Sequence, residues 1–343
     1  MQYTRLGTTG LIVSRLGFGA MTFGSGDGPM GSVWKTDQGA ADAIVGHAIE
    51  RGVTLFDTAD AYAGGQSEEM LGRALGSHRR RVVLSTKIGF RLGEAMLDAG
   101  LSYRRIVDAV AASLRRLNTD WIDLLSLHTV DPFTPLDETL RALEEVVRRG
   151  WVRYVGYSNF PAWMAATMVE RQRARGYATM CAAQMYWSLA GRDLEFEHLP
   201  FAREAGVGIV VWGPLAGGFL TGRYTRQNPT GGGGRLADFD FIPMDKDRAY
   251  DLVDGLAAIA TTKRCTIAQL ALAWLLARPE QPAVLLGASR IEQLDQNLGA
   301  LDVVLSADEI AQLDALTAPA LPYPSWYLDK IGGDATLTAA LGQ

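Results

Sequence analysis

Short apolar stretches alternate with longer amphipathic segments along most of the 343-residue chain. The apolar stretches have the length of β-strands, and the amphipathic segments carry apolar residues three or four positions apart, which is typical of helices packed on a core. This pattern predicts strands at 16–22, 53–57, 81–87, 121–128, 152–157, 180–186, 207–212 and 283–286. It predicts helices at 67–75, 102–117, 136–149, 161–175, 195–204, 250–260, 267–277 and 291–298.

Several predicted helices have recognisable ends. Ser67 is expected to cap the helix at 67–75, since a serine side chain can accept a hydrogen bond from a free N–H of the first turn. Gly150 is expected to adopt a left-handed conformation directly after a helix, a position that glycine occupies without strain. Gly176 and Gly206 close two further predicted helices in the same way.

Most predicted strands are nearly continuous apolar runs, as expected when both faces of a sheet are buried. Eight strand–helix units follow one another without an obvious linker, which favours a closed α/β barrel, a (β/α)8 or TIM barrel, over an open doubly wound sheet. We therefore expect a single domain across 1–343. Residues 1 to about 15 contain a glycine-punctuated turn and predict a β-hairpin that plugs the barrel floor. Residues from about 318 to 343 form a C-terminal extension.

Composition narrows the classes of partner. The net charge of −5 disfavours nucleic acid, whose phosphates attract basic surfaces. The basic run at 79–81 is the exception, and its position between a helix and a strand favours a solvated turn. Cys181 and Cys265 provide neither a disulfide framework nor metal-ligand spacing. Together with the lack of a signal peptide or an apolar run of ~20 residues, this predicts a cytoplasmic protein that does not bind membranes.

Two glycine-rich stretches, 24–31 and 228–238, follow predicted strand ends, and the second contains four consecutive glycines. Barrel enzymes place their active-site loops at such strand ends, so both stretches are candidates for mobile loops of a site. Plain linker flexibility is an equally good interpretation of a glycine run, and the sequence leaves both open.

Polar side chains stand at the ends of three successive predicted strands. Asp57 ends one strand, Lys87 the next and His128 the third, and Tyr62 lies in the loop after the first. Taken singly, they could be a turn former, a surface lysine and a satisfied polar histidine. Because the C-terminal ends of parallel strands meet at one mouth of a barrel, their common placement favours one site.

These four side chains form a coherent acid–base set. The pKa of tyrosine is near ~10, and a neighbouring ammonium group such as that of Lys87 stabilises the phenolate. Asp57 can supply the counter-charge that a buried lysine needs. His128 can then bind a substrate carbonyl oxygen, and Tyr62 can act as general acid in reduction and general base in oxidation.

The chain resembles the aldo-keto reductase superfamily over essentially its whole length. The resemblance is carried by LFDTADAY at 55–62 with Ser67 and Glu68, STK at 85–87, DLLSLH at 123–128, GYSNF at 156–160, Gln184, WGPLAGGFLTGRY at 212–224, and GASR at 287–290 with Gln293 and Asn297. The most similar branch is the bacterial one related to potassium-channel β-subunits and small-aldehyde reductases. The resemblance implies a catalytic tetrad of Asp57, Tyr62, Lys87 and His128.

The resemblance also implies NADP(H) lying across the barrel mouth. A Rossmann fingerprint is absent, because the G-x-G at 17–19 is followed by Thr22 where the third glycine should be. Trp212 would stack on the nicotinamide and replaces the tyrosine that is commoner there. The residues implied in cofactor binding are Met21, Thr22, Ser158, Asn159, Gln184, Trp212, Gly213, Pro214, Leu215, Gly217, Gly222, Arg223, Gly287, Ser289, Arg290, Gln293 and Asn297.

Three parts of this cofactor site have distinct expected roles. Ser158, Asn159 and Gln184 would hold the carboxamide, and backbone N–H groups of the loop 215–222 would face the pyrophosphate. Ser289 and Arg290, at the start of a helix, would bind a 2′-phosphate, which favours NADP(H) over NAD(H). Gly213 stands where many members carry serine, so one hydrogen bond to the cofactor is expected to be missing.

Aromatic residues near strand ends suggest a partly apolar substrate pocket for aldehydes, ketones or sugar-derived carbonyls. The candidates are Phe23, Trp34, Tyr186, Trp187 and Trp326. A cofactor-binding redox regulatory subunit with little turnover is the alternative function. A metal-dependent barrel hydrolase is disfavoured, because only His128 among the four histidines lies at a strand end and a metal needs several converging ligands.

Overall fold

The computed structural model describes residues 1–26, 31, 33–232, 236 and 240–332. A hairpin precedes a closed barrel of eight parallel strands, and helices surround the barrel. The strands are β1 (Tyr3–Arg5), β2 (Ile12–Ser14), β3 (Leu16–Gly19), β4 (Leu55–Asp57), β5 (Val83–Ile88), β6 (Ile122–Leu127), β7 (Val152–Ser158), β8 (Met180–Tyr186), β9 (Gly208–Trp212) and β10 (Ala283–Leu286). The helices used below are α1 (Gln38–Glu50), α2 (Gln66–Leu75), α3 (Tyr103–Arg116), α4 (Leu136–Arg148), α5 (Ala162–Arg175), α6 (Leu194–Ala205), α7 (Lys246–Lys263), α8 (Ile267–Leu276), α9 (Ile291–Leu298), α10 (Ala307–Leu316) and α11 (Ser325–Ile331).

The barrel closes because β10 pairs with both β3 and β9. The strands from β3 to β9 pair in chain order, and every pairing in the barrel is parallel. The predicted (β/α)8 barrel is confirmed. The C-terminal ends of all eight strands therefore form one mouth, which is where barrel proteins build their sites.

The predicted N-terminal hairpin is also confirmed, and it lies at the N-terminal ends of the barrel strands. β1 and β2 pair antiparallel. Leu6 and Val13 join Leu55 in a buried apolar cluster. Ser14 binds the start of β4 through two hydrogen bonds with Thr54, at 2.9 and 3.0 Å. The hairpin thus covers the end of the barrel opposite the mouth.

The helix ends follow the sequence signals in part. Gly150, Gly176 and Gly206 have φ values of 73°, 65° and 69°, so these left-handed ends are as predicted. The prediction for Ser67 is wrong, because α2 begins one residue earlier and Ser67 is buried in its first turn. Its hydroxyl donates to the Ala20 carbonyl oxygen at 2.7 Å, so Ser67 ties α2 to the end of β3.

Three helices, α1, α10 and α11, are not predicted by the apolar pattern. α1 is rich in alanine and glycine, so its two faces differ little in polarity. Asp37 nevertheless caps it by accepting a hydrogen bond from the Ala40 N–H at 2.9 Å.

The basic run at 79–81 differs from the fully solvated turn that the sequence favoured, because Arg79 is largely buried and lies 2.7 Å from Asp123.

The two glycine-rich stretches predicted to be mobile loops lie partly outside the described residues, which leave out 27–30 of the first stretch and 233–235 and 237–238 of the second. In the part of the chain that the structure covers, no helix combines the length and the apolar character needed to cross a membrane.

Candidate active site

Asp57 and Lys87 form a buried ion pair at the barrel mouth. Asp57 ends β4, and the register of β5 places Ser85 beside it. The Lys87 Nζ lies 2.5 Å from Asp57 Oδ2 and donates to the Thr58 carbonyl oxygen at 2.6 Å. The other carboxylate oxygen, Oδ1, accepts from Ser85 Oγ and Gln184 Nε2, both at 2.8 Å. Both charges are thus paired and hydrogen-bonded, as buried charges must be.

Lys87 keeps its charge although it is completely buried. Burial by itself lowers the pKa of this ammonium group. Attraction to Asp57 and Tyr62, with hydrogen bonding to both, outweighs the burial and raises the pKa of Lys87 above its ordinary value. A positive charge therefore stands beside the Tyr62 side chain at neutral pH.

Tyr62 reaches this charge through the loop after β4. Its ring centroid lies 5.0 Å from the Lys87 Nζ. Residues 63–65 have positive φ values of 48°, 63° and 97°, so the chain turns sharply before α2. A hydrogen bond of 2.8 Å between the hydroxyls of Thr58 and Ser67 joins the two ends of the loop. The structure brings Tyr62 and Lys87 together, as the sequence pattern suggested.

His128 lies at the end of β6 on another side of Tyr62. The two ring centroids are 5.8 Å apart and the rings are nearly perpendicular, at 79°. His128 is 8% exposed, and its Nδ1 has no hydrogen-bond partner among the described residues. Burial and, secondly, the charge of Lys87 hold the pKa of His128 well below its usual range. The imidazole is therefore neutral, and its Nδ1 is buried without a hydrogen bond to the described residues.

Phe90 belongs to this site, although the sequence reasoning missed it. Its ring centroid lies 4.3 Å from that of His128, and the residue is 42% exposed. Phe90 follows Lys87 by three positions, so an aromatic residue just beyond the end of a strand was the signal available in the sequence. It forms an apolar wall beside the imidazole.

Asn159 joins the histidine to the other side of the mouth. Its Nδ2 donates to the His128 carbonyl oxygen at 3.1 Å and to Ser158 Oγ at 2.9 Å. Its Oδ1 accepts from the Trp212 Nε1 at 3.1 Å. Ser158 Oγ donates to the Gln184 carbonyl oxygen at 2.7 Å. The residues expected to hold a carboxamide therefore form one connected network around the ends of β7, β8 and β9.

Gly213 follows Trp212 and has a φ of 64°. A Cβ at this position would lie 3.1 Å from the Tyr186 ring, so a larger residue would be crowded as well as strained. The Tyr186 ring lies 5.1 Å from that of Trp212. Glycine thus allows Tyr186 to support the indole, which remains partly exposed.

The segment after Gly213 is rich in turns. A 3₁₀ helix spans Ala216–Thr221, and φ is 68° at Gly217 and 76° at Gly222. Successive backbone N–H groups in such turns can face an anion. Of the neighbouring candidates, Pro214 is buried, Leu215 is partly buried and Arg223 is exposed.

The candidates around the end of β10 differ in accessibility. Arg290 is exposed and makes no ion pair within the described residues, and it immediately precedes α9. The Ser289 N–H donates to Gln293 Oε1 at 3.2 Å. Thr22 and Asn297 are buried, Met21 is partly buried, and Gly287 is exposed. An unpaired guanidinium beside a helix N-terminus is suited to an anionic ligand.

Two residues predicted to line a substrate pocket lie in the core, so this part of the prediction is wrong. Trp187 is completely buried, and its Nε1 donates to Glu195 Oε1 at 2.8 Å. Phe23 is equally buried and packs against Phe18, with 5.6 Å between ring centroids. Aromatic residues near a strand end pack inward as readily as they face the mouth. The remaining candidates are Tyr186 and Trp34, which are partly buried, and Trp326, which is 41% exposed on α11.

The fold and the site define a (β/α)8-barrel protein whose mouth holds a lysine–aspartate ion pair, a tyrosine beside the ammonium group and a neutral histidine. Within the described part of the chain, no three His, Cys, Asp or Glu side chains are grouped as metal ligands.

Comparison with known proteins identifies the family. The model of the aldo/keto reductase family matches residues 15–318. The chain is 36% identical to a probable voltage-gated potassium channel subunit beta of Arabidopsis thaliana, over 89% of this chain and 92% of that protein. It is 32% identical to the versiconal hemiacetal acetate reductase of Aspergillus parasiticus, over 94% and 99%. It is also 32% identical to the probable aldo-keto reductase 1 of Glycine max, over 91% and 88%.

The chain belongs to the aldo/keto reductase family. Membership implies oxidoreductase activity and supports carbonyl reduction as the general reaction.

Proposed function

We propose that the chain is an NADP(H)-dependent reductase that converts aldehydes or ketones, sugar-derived carbonyls included, to alcohols. The observation that carries the proposal is the position of the Tyr62 ring, 5.0 Å from an ammonium group that is itself paired with a buried carboxylate. The partner is a small carbonyl compound rather than a nucleic acid or a membrane, and the location is the cytoplasm.

Tyr62 is the general acid in this proposal. When its proton passes to the substrate carbonyl oxygen, the phenolate that remains is stabilised by the ammonium group of Lys87. Asp57 keeps that ammonium group charged, and the Tyr62 phenolate regains a proton from the solvent before the next turnover. In the oxidation direction, the same phenolate takes the proton of the alcohol.

His128 positions the carbonyl group. Its imidazole is neutral, so a ring N–H can donate a hydrogen bond to the substrate oxygen without adding a charge. Phe90 shields one side of the ring from water, which strengthens this hydrogen bond because the local dielectric constant is low.

The residues present fit a nicotinamide cofactor, which supplies the hydride when it is bound. The partly exposed Trp212 indole, held by Asn159 and Tyr186, offers a flat surface for the ring. The left-handed turns after Gly213 offer backbone N–H groups to phosphate oxygens. The unpaired Arg290 guanidinium supports NADP(H) over NAD(H), because it suits a 2′-phosphate.

A cofactor-binding redox regulatory subunit is the second candidate. The similarity to a protein named as a probable potassium channel subunit favours it. Such a protein would keep the cofactor site and turn over little substrate.

The test is oxidation of NADPH in the presence of an activated aromatic aldehyde, followed by absorbance, for wild type and Tyr62→Phe. We expect turnover that falls at least ~100-fold in the variant, since general acid catalysis contributes about 10²–10⁴. NADPH binding by both proteins, measured by fluorescence, should be the same. Tyr177→Phe, at a partly buried position between α5 and β8, is the control and should retain full turnover.

The other possible results distinguish the reductase from the regulatory subunit. Tight NADPH binding without turnover of aldehydes, ketones or, in reverse, alcohols would favour the regulatory subunit. Binding of neither NADPH nor NADH would contradict both candidates.

A further inference from the structure

Asp60 is a buried carboxyl group that the proposed chemistry does not use. It lies two residues before Tyr62 and is completely buried. Its backbone N–H donates to the carbonyl oxygen of Lys87 at 2.9 Å. The backbone of Asp60 is therefore hydrogen-bonded to Lys87, and two peptide units join Asp60 to Tyr62. Asp60 is thus connected to both residues of the tyrosine–lysine pair.

The side chain of Asp60 is poorly satisfied for a buried carboxylate. Oδ2 lies 3.4 Å from a guanidinium nitrogen of Arg105, and Oδ1 has no partner in the described part of the chain. The Nε of Arg105 is buried and lacks a partner there as well. An ionised carboxylate in this position would be only weakly compensated.

A second buried carboxylate nearby is fully satisfied. Glu68 on α2 accepts from the Thr86 hydroxyl at 2.6 Å and from Arg116 Nε at 2.7 Å, and the Arg116 Nη2 lies 2.6 Å from the same oxygen. Glu68 therefore has closer hydrogen-bond donors than Asp60 has. Its negative charge disfavours a second negative charge on Asp60. The contrast between these two carboxyl groups marks Asp60 as the one that can exchange a proton.

Some groups around Asp60 raise its pKa and others lower it. Burial, followed by the charge of Glu68, raises the pKa of Asp60 to about 7. Arg105 and Arg116 on α3 oppose this, as does the hydrogen bond from the backbone of Ala61. From β5, the neutral Thr86 hydroxyl binds Glu68, and the backbone of Lys87 binds Asp60.

We propose that Asp60 is a positioning residue whose protonation keeps the Tyr62 hydroxyl placed against Lys87, which makes the reduction proposed above sensitive to pH through a group that does not touch the substrate. In the neutral form, the repulsion between Asp60 and Glu68 is absent, and Arg105 gives up its ion pair with Asp60. On ionisation, Asp60 is drawn toward Arg105 and repelled by Glu68. The segment from Asp60 to Tyr62 follows this movement.

The proposal rests on the role of Tyr62, so its test begins with a measurement that needs no turnover. Tyrosine is ring-labelled with ¹³C, and the Tyr62 signal is assigned by its loss in Tyr62→Phe. We expect the signal of the wild type to shift with an inflection near pH 7. Asp60→Asn, a neutral group of the same shape, should remove the inflection. A wild type without the inflection, or a variant that retains it, would overturn the proposal, whether or not the protein is a reductase.

The kinetic arm compares kcat/KM between pH 5.5 and 9 with one aldehyde. We expect the wild type to lose roughly tenfold through pH 7, because small misplacements of a reacting group are costly, while Asp60→Asn keeps only the inflections of other groups. Asp123→Asn, which breaks the Arg79 ion pair at the opposite end of the barrel, should lower the unfolding midpoint and leave the pH profile unchanged. The same loss through pH 7 in Asp60→Asn would overturn the proposal.

Discussion

Gln184 on β8 donates a hydrogen bond of 2.8 Å to Asp57 on β4, although 127 residues separate them along the chain. The bond crosses the barrel mouth and uses the amide of a residue expected to hold the cofactor. It therefore links the cofactor side of the site to the carboxylate that keeps Lys87 charged. Replacement of Gln184 or Asp57 should therefore affect both the cofactor side of the site and the ion pair with Lys87.

Gln184→Met tests this link with little change in volume. We expect a loss of about 1–3 kcal/mol in the free energy of unfolding, because one oxygen of a buried carboxylate loses a donor. Urea denaturation measures this, and kcat/KM should fall as well. Gln312→Met, at an exposed position on α10, is the control and should change stability by less than ~0.5 kcal/mol.

Asp57→Asn leaves Lys87 without its counter-charge. We expect a loss of about 3–5 kcal/mol in the free energy of unfolding at pH 7, since an uncompensated buried charge remains. Because the folded pKa of Lys87 is raised, the pair stabilises the wild type below ~10.4, the pKa of an unfolded lysine, and the effect is lost as pH rises above it. The double variant Asp57→Asn/Lys87→Met should recover part of the stability. No difference between the single variant and wild type at pH 7 would contradict the pairing.

His198 should make the fold sensitive to acid. It is buried against Tyr157, whose hydroxyl lies 2.7 Å from its Nε2, and burial lowers the pKa of His198 to about 4. Because an unfolded histidine takes up a proton near ~6.5, this site's contribution to stability is present above that pH and is lost as pH falls toward 4, by about 3 kcal/mol in all. Replacement of His198 by Gln should flatten this part of the stability–pH curve. A variant curve parallel to that of the wild type from pH 7 to 4 would exclude the assignment.

Phe90→Ala should change the titration of His128. Removal of the ring admits water to the imidazole, so the pKa of His128 should rise toward its ordinary value. The measurement is an NMR titration of the histidine ring signals. Replacement of Phe133, an exposed aromatic residue in the loop after His128, by alanine is the control and should leave the titration unchanged.

Arg290→Gln should reduce the preference for NADPH over NADH. A charge-assisted hydrogen bond is worth about 1.5–3 kcal/mol, so we expect the ratio of the two dissociation constants to fall by roughly tenfold or more. Binding titrations followed by fluorescence give both constants. Glu292→Gln in the next turn removes the neighbouring charge and should not lower the ratio.

The barrel could be predicted because the alternation of apolar strands and amphipathic helices is repeated eight times along the sequence. Each strand is an apolar run bounded by a helical segment, so an uncertain boundary such as the end of β3 does not alter the count. The same repetition placed Asp57, Lys87 and His128 at strand ends. α1 escaped prediction because small residues on both of its faces give no contrast.

Side-chain direction is the part that the sequence could not supply. Trp187 and Phe90 both follow strand ends, yet one is buried against α6 and the other lies beside His128. A linear pattern records that an aromatic residue is near the mouth and not which way its Cβ points. Contacts that join distant strands, such as Gln184 with Asp57, depend on barrel closure and have no local signal.

The N-terminal hairpin covers one end of the barrel, so ligands approach from the opposite end, which forms the mouth. A protein attached to a solid support through residue 1 would be held by its closed floor, with the mouth and its ligands facing the solution. Fusion partners joined at that residue should likewise stay clear of Tyr62, so N-terminal tags are the sensible choice for immobilised assays of this chain.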